Sequence, residues 1–176
     1  MKKHNGMRPH DIVILLKIAT KTEPWLMKNL ASELKISASE ISESINRSVI
    51  AGLIGSDKRT LNRLALLDFL QSGLRYVYPQ QPGALVRGIV TAHSAPPLNR
   101  EIMSEENFVW PYAKGETRGQ AIEPLHPKIP EVCLGDNELY ELLALTDSLR
   151  VGKAREQKRA FEILKEKIGY ARKASN

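Results

Sequence analysis

One short stretch, ISASEISESINRSVIAGLI at residues 36–54, carries polar side chains of types that can form paired hydrogen bonds. Its apolar residues recur at intervals of four from Ile41 to Leu53, which predicts a helix with one buried face. The opposite face holds the polar candidates Ser39, Ser42, Glu43, Asn46 and Arg47. In the major groove of DNA, Asn can bond an adenine edge, Arg a guanine edge and Glu a cytosine amino group, whereas Ser is a short, adaptable contact.

The charge of this stretch does not by itself suit a polyanion. Its formal charge is −1, because Glu40 and Glu43 outnumber Arg47, while the whole chain carries +6. Ser37 followed by Glu40 has the spacing of a capping box, so we expect Glu40 to bond back to the start of the helix. Attraction to phosphate can come from flanking residues. The candidates for phosphate contacts are Lys28, Lys35, Lys58, Arg59, Arg63, Arg75 and Arg87.

Composition indicates an ordinary globular chain. Of its 176 residues, 42% are hydrophobic and 26% are charged. A single cysteine, Cys133, excludes an intramolecular disulfide and favours a reducing compartment. No run of apolar residues is long enough to span a bilayer, so we expect a cytoplasmic protein without a membrane partner. Residues 1–78 carry 12 Lys and Arg against 7 Asp and Glu, whereas residues 79–136 carry 5 against 7.

The elements that must position these side chains follow from periodicity and breakers. Helices are expected from Asp11 or His10, from Pro24, over Ser37–Leu53 and over Thr60–Ser72. Two extended runs, 74–78 and 84–91, flank a Pro/Gly turn and predict a hairpin.

Eight of the ten prolines lie between Pro79 and Pro130, which predicts an irregular, largely extended segment. Two further helices are expected after Asp136. The sequence therefore predicts a mainly α fold with a small β-hairpin wing. Its three parts are a winged-helix domain at 1–91, a proline-rich wrapping segment at 92–136 and a helical dimerisation or docking region at 137–176.

The run LASELKISASEISESINRSVIAGLI resembles the helix–turn–helix of winged-helix bacterial transcriptional regulators of the MarR type. The resemblance covers about half the chain, residues 8–91. It implies a sequence-specific regulator of double-stranded DNA whose third helix, Ser37–Leu53, enters the major groove and whose hairpin contacts the backbone. The chain departs from the family where the Thr60–Ser72 helix separates the third helix from the predicted wing.

Other functions use the same residues. A helix–turn–helix can instead hold a protein, so the alternative is an adaptor or antitoxin-like partner. Arg87, Trp110, Tyr112 and Arg118 could line a pocket for an acidic ligand, or could fasten the extended segment to the scaffold.

The residues His93, Ser94, His126 and Cys133 suggest an enzyme as a third alternative. An enzyme using His93 or His126 is the weakest of the three interpretations. No metal-binding spacing, phosphate loop or cofactor motif is present, so the sequence predicts no enzyme, no metal and no cofactor.

Assembly is the last expectation from the sequence. One recognition helix covers few base pairs, so proteins of this kind commonly bind paired half-sites as dimers. The Leu139–Leu149 helix is apolar on more than one face, and Ala154, Phe161, Leu164 and Ile168 form a second stripe. These residues predict a homodimer held by residues 137–170, or a docking surface for a second protein. Packing of the same helices onto residues 79–136 is the competing arrangement.

Overall fold

The computed structural model describes residues 5–22 and 24–171, and the fold combines helices with one small sheet. Within those residues there are eight α-helices and three strands, and roughly half of the chain is helical. The helices are α1 (Pro9–Ala19), α2 (Met27–Leu34), α3 (Ala38–Ile50), α4 (Arg63–Ser72), α5 (Leu74–Val77), α6 (Ile129–Cys133), α7 (Asn137–Val151) and α8 (Ala154–Ile168). The strands are β1 (Leu85–Val90), β2 (Phe108–Pro111) and β3 (Thr117–Ala121). This mixture is compatible with the predicted mainly helical chain with a small β component.

Helices α1 and α7 form the centre of the molecule. Pro9 occupies the first turn of α1, where its missing N–H costs no hydrogen bond, and the Asp11 carboxylate accepts from the backbone N–H of Arg8 at 2.8 Å. Every residue from Asp11 to Ala19 is buried. Helix α7 begins as predicted, with the Asp136 side chain accepting from the N–H of Leu139. The two helices pack against each other, so each is apolar on more than one side.

The strands close into a miniature three-stranded barrel. β1 is antiparallel to both β2 and β3, with Ile89 opposite Trp110 and Arg87 opposite Arg118, and β2 is parallel to β3. The strands approach closely at Gly88, where a Cβ atom would overlap the carbonyl of Trp110. A glycine is therefore required at this point of the barrel.

The predicted hairpin between 74–78 and 84–91 is wrong. Leu74–Val77 is the short helix α5, which follows Gly73 directly and buries Leu74 completely against the core. β1 pairs instead with strands from the proline-rich segment. The aromatic and β-branched residues of this run favour a strand locally, but the packing of Leu74 decides otherwise.

The three predicted parts share one sheet and one core. β1 belongs to the predicted first part and its partners to the second, so the boundary between residues 91 and 92 divides the sheet. One cluster of buried side chains includes Ile12, Trp110 and Leu164, one from each part. The outer ends of the first and last parts lie outside the described residues.

The apolar residues of α7 and α8 lie inside the chain. Leu139, Leu142, Leu143, Leu145 and Leu149 are all buried, as are Leu164 and Ile168, whereas Phe161 is half-buried and Ala154 is exposed. The stripes on which the predicted dimer interface depended thus mostly form the core of one molecule, which is the competing arrangement. Among the described residues, no helix has the length and apolar character needed to cross a bilayer.

Candidate nucleic-acid interface

Helices α2 and α3 form a helix–turn–helix with a three-residue connection. Lys35 adopts the left-handed conformation (φ 54°) that ends α2, and Ile36 turns its side chain into the core. Ser37 begins α3 as predicted, and its hydroxyl accepts from the N–H of Glu40 at 3.3 Å. Leu30 of α2 and Ile41 of α3 are fully buried, and the two helices pack against each other.

The outer face of α3 carries most of the predicted base-reading residues. Ser39 and Glu43 are exposed, and Ser42 and Asn46 are half-buried. Ile50, one turn beyond Asn46, is 67% exposed. These residues recur at the spacing of one helical face, so they form a single ridge that a groove could receive. We call Ser39, Ser42, Glu43, Asn46 and Ile50 the α3 ridge.

Arg47 does not belong to the α3 ridge, and its prediction as a base-reading residue is corrected. Its guanidinium is buried beneath the helix, where Nε and Nη2 donate to the two Asp11 carboxylate oxygens at 2.9 and 2.8 Å. Nη2 also donates to Glu40 at 2.6 Å. The side chain is 8% exposed and that of Asp11 is fully buried. A bidentate pair of this kind cannot release Arg47 to a guanine without leaving the Asp11 charge unpaired.

The ion pair accounts for the shifts in pKa around it. The hydrogen bond to Asp11 raises the pKa of Arg47, against the opposing effect of burial. The hydrogen bond from Arg47 lowers the pKa of Glu40. Glu40 therefore stays ionised, but its carboxylate bonds Arg47 and His10 rather than the start of the helix. Only the serine half of the predicted capping box forms.

This cluster is also the closest arrangement to a metal site among the described residues. His10, Asp11 and Glu40 bring three ligand-type atoms within 4.8 Å of one another. Nη2 of Arg47 lies among them, at 2.6 Å from Glu40, 2.8 Å from Asp11 and 3.4 Å from His10. The guanidinium thus takes the position that a cation would need.

A short hairpin follows α3 directly. Ile54 and Leu61 form an antiparallel bridge, and a six-residue loop joins them. Asp57 organises the loop by accepting from the N–H groups of Arg59 and Thr60 and from the Thr60 hydroxyl. The bond from the Thr60 hydroxyl is the main reason that the pKa of Asp57 falls to about 2. The hairpin nearest to α3 is therefore at residues 53–62 and not at the predicted 74–91.

The basic residues predicted to contact phosphate differ in their availability. Lys28 and Lys58 are exposed, and no hydrogen bond or ion pair joins the ammonium group of either to another described residue. Lys58, with φ 56°, lies at the tip of the hairpin. Arg59 lies over the Trp25 ring and donates to the Trp25 carbonyl at 2.8 Å, while Lys35 pairs with Glu131. Lys28 and Lys58 are thus the predicted phosphate contacts of the helix–turn–helix and its hairpin whose charged groups have no partner among the described residues.

Two other predicted phosphate contacts are used within the fold. Arg63 donates to the carbonyls of Ala19 and Ile168, which lie at the carboxyl ends of α1 and α8. A cation there satisfies helix ends and suits the dipoles of both helices.

Arg75 forms hydrogen bonds with two other side chains. It donates to Gln157 at 3.0 Å and to the Tyr76 hydroxyl at 2.8 Å. Both arginines are therefore better explained as structural residues than as phosphate contacts.

The four residues predicted to line an acidic-ligand pocket do not all lie on one surface. Trp110 is buried, and its N–H donates to Asp147 at 2.7 Å. Arg87 and Arg118 are exposed on the barrel. A cavity of about 780 Å³ lies between the barrel, the proline-rich segment and the end of α7, but none of the four lines it.

Asp147 is the centre of a buried hydrogen-bond network that the sequence pattern does not predict. Asp147 accepts from Thr91 and Trp110, both at 2.7 Å, and from Arg150 at 2.9 Å. Arg150 also donates to the carbonyl of Tyr78. Burial raises the pKa of Asp147, against the opposing effects of Arg150 and the hydrogen bonds. The network joins α7 to β1, β2 and the α5–β1 connection.

The residues of the enzyme alternative also contact other groups rather than one another. One ring nitrogen of His93 lies 2.9 Å from the Glu106 carbonyl, and the Ser94 hydroxyl accepts from the N–H of Phe108. Cys133 is buried, which raises its pKa far above the ordinary value. Burial lowers the pKa of His126, whose ring packs edge-on against His10. No described hydrogen bond joins any two of these four candidates.

Sequence signals for the buried pairs existed, although the partners could not be read from them. Asp11 is the only acid in the first helix, directly before five apolar residues, and Asp147 lies in an apolar helix. An acid in such a setting needs a cation or several donors.

Comparison of the chain with protein-family models, with curated proteins and with solved structures found no match.

Proposed function

We propose that this protein is a sequence-specific double-stranded DNA-binding regulator that reads bases with the α3 ridge. The observation that carries the proposal is the exposed polar ridge on the second helix of a helix–turn–helix, with a short hairpin immediately after it. This order of elements is compatible with a winged helix and supports the proposal. A polar helical face with two half-buried hydrogen-bonding residues, Ser42 and Asn46, suits the donors and acceptors of the major groove.

The ion pairs around Arg47 reduce the difficulty of charge. Glu40 shares Arg47 with Asp11 and lies 3.9 Å from Arg8, so its charge is engaged within the fold. Glu43 is the only charged residue of the α3 ridge. Lys28 in α2 and Lys58 on the hairpin tip are both exposed. Phosphate contacts from such flanking residues supply affinity, while the ridge supplies specificity.

Asn46→Ala should weaken binding to the preferred site by about 1–3 kcal/mol and relax the preference at one base position. The reason is the loss of a bidentate contact that only an amide in the middle of the α3 ridge can make. Fluorescence anisotropy with the preferred duplex and with single-base variants would measure both effects.

The matched control is Asn137→Ala, because Asn137 is an exposed amide at the start of α7, far along the chain from the helix–turn–helix. It should leave DNA binding unchanged. An Asn46 variant with the affinity and base preferences of the parent would show that α3 is not the reading helix.

A second candidate function uses the same ridge to hold a protein. Ile50 is 67% exposed at the end of the ridge, and a large apolar side chain beside polar residues is typical of a protein contact as well as of contact with a thymine methyl group. The two candidates separate in one experiment. Co-purification of a stoichiometric protein, with equal affinity for all duplexes, would favour the adaptor.

We further propose that two copies bind paired half-sites, since one ridge spans few base pairs. The contact between copies must come from exposed surfaces, because Leu139, Leu142 and Leu164 are already in the core. Light scattering on the DNA complex should therefore give two chains of 19.7 kDa per duplex. A complex with one chain per duplex would contradict the dimer and leave base reading by a single ridge.

A further inference from the structure

Two arginines face each other on the surface of the barrel without a counter-charge. Arg87 of β1 and Arg118 of β3 are directly opposite in the antiparallel register, and both are exposed. Directly opposed residues of an antiparallel pair project from the same side of the sheet with their Cβ atoms about 4.5–5.5 Å apart. No hydrogen bond or ion pair joins either side chain to another of the described residues.

This arrangement costs stability. Like charges directly opposite each other on a sheet are destabilising, and an acid at either position would remove the repulsion. Leu85 and Gln120, the cross-strand pair two residues along on the same face, carry no charge that could offset it. A bound anion would convert the repulsion into two charge-assisted contacts, because a guanidinium can form paired hydrogen bonds with phosphate oxygens.

The position of the pair relates it to the helix–turn–helix. The turn between β2 and β3 begins where Tyr112 donates its N–H to the carbonyl of Arg87. Lys114, in that turn, acts electrostatically on Glu131, which pairs chiefly with Lys35 of the α2–α3 turn and also with Lys128. Pro111 of β2 and Pro130 of α6 line the same cavity, so the β2–β3 turn lies near Glu131 and its partners Lys35 and Lys128.

We propose that the Arg87–Arg118 pair binds the phosphate backbone of duplex DNA beside the bases that the α3 ridge reads. This inference rests on the proposed function and adds a contact that the helix–turn–helix cannot make. Duplex DNA is the occupant favoured by charge, since it presents about one negative charge per 1.7 Å and the pair adjoins a surface with an excess of cations. The barrel then takes part in DNA binding as well as in folding.

The test compares two double variants that remove the same charge. Arg87→Gln/Arg118→Gln should reduce affinity for every duplex alike and make the slope of log K against log salt shallower by about 0.9 for each phosphate that the variant no longer binds. The matched control is Arg155→Gln/Lys158→Gln on α8, because those residues are exposed and no ion pair joins them to another described residue. The control should keep the parent slope.

Each outcome is decisive. Equal slopes for the two double variants would overturn the proposed contact while the proposed function stands, because the effect would then be one of net charge. An affinity for acidic peptides, but not for duplex, that depends on the pair would overturn it as well. A parent protein that binds no duplex would instead remove the proposed function, and the contact with it.

A single variant separates the contact from loss of folding. Arg118→Glu places opposite charges face to face, so we expect its thermal midpoint to rise by about 1–4 °C. Its affinity for DNA should nevertheless fall about as far as that of the double glutamine variant, because both changes lower the net charge by two and the new carboxylate pairs with Arg87. A variant that is more stable but retains the affinity of the parent would overturn the proposal.

Discussion

Replacing Arg47 by alanine is expected to lower the free energy of unfolding by about 3–5 kcal/mol. The guanidinium is the charge partner of Asp11, which is fully buried and has no other basic side chain within hydrogen-bond distance among the described residues. The ring of His10 lies 3.8 Å from the carboxylate. Its removal leaves a buried carboxylate without two of its donors. A surface arginine that reads bases would instead change the stability by no more than about 0.5 kcal/mol.

Urea denaturation of three variants would measure this effect. Asn46→Ala, one residue away and on the α3 ridge, is the control and should stay within about 0.5 kcal/mol of the parent. The double variant Asp11→Leu/Arg47→Met should recover most of the loss, since apolar residues can replace a buried ion pair at little cost. An Arg47→Ala protein as stable as the parent would mean that the side chain is available to DNA after all.

Asp147→Ala is expected to be as destabilising, by about 3–5 kcal/mol. The carboxylate is the common acceptor of Thr91, Trp110 and Arg150, and its loss leaves three donors unsatisfied in the interior. Because one of them is the indole N–H, the fluorescence of the protein should change together with its unfolding midpoint. Denaturation followed by fluorescence measures both.

The control lies on the same helix. Glu141 pairs with Lys167 at 2.7 Å, but both side chains are about one-third exposed. Glu141→Ala should therefore cost less than about 1 kcal/mol. Equal losses for Asp147→Ala and Glu141→Ala would show that burial does not make the Asp147 network special.

Local patterns identified the helices but not their long-range partners. The intervals of four from Ile41 to Leu53 and the cap at Ser37 located α3, because both signals lie within the helix itself. The propensities of the run before Pro79 favour a strand, but the packing of Leu74 makes it the helix α5. Pairing of β1 with β2 and β3 spans about twenty residues or more, which no local pattern encodes.

In the candidate site, too, local patterns predict positions on a helix but not long-range partners. The exposed positions of the α3 ridge follow from helical periodicity, so Ser39 and Asn46 lie on the outer face as expected. Arg47 directly follows Asn46 in the sequence. Its guanidinium is nevertheless buried, because it pairs with Asp11, 36 residues earlier. An ion pair between two helices becomes visible only when their packing is known.

The central claim is that the α3 ridge selects a DNA sequence, and selection from a random duplex pool tests it most directly. The parent protein, recovered on DNA at rising salt, should enrich one motif, and Asn46→Ala should enrich a motif degenerate at one position while the control Asn137→Ala enriches the parent motif. Recovery of unenriched sequences by the folded parent, with binding that disappears evenly as salt rises, would contradict the account.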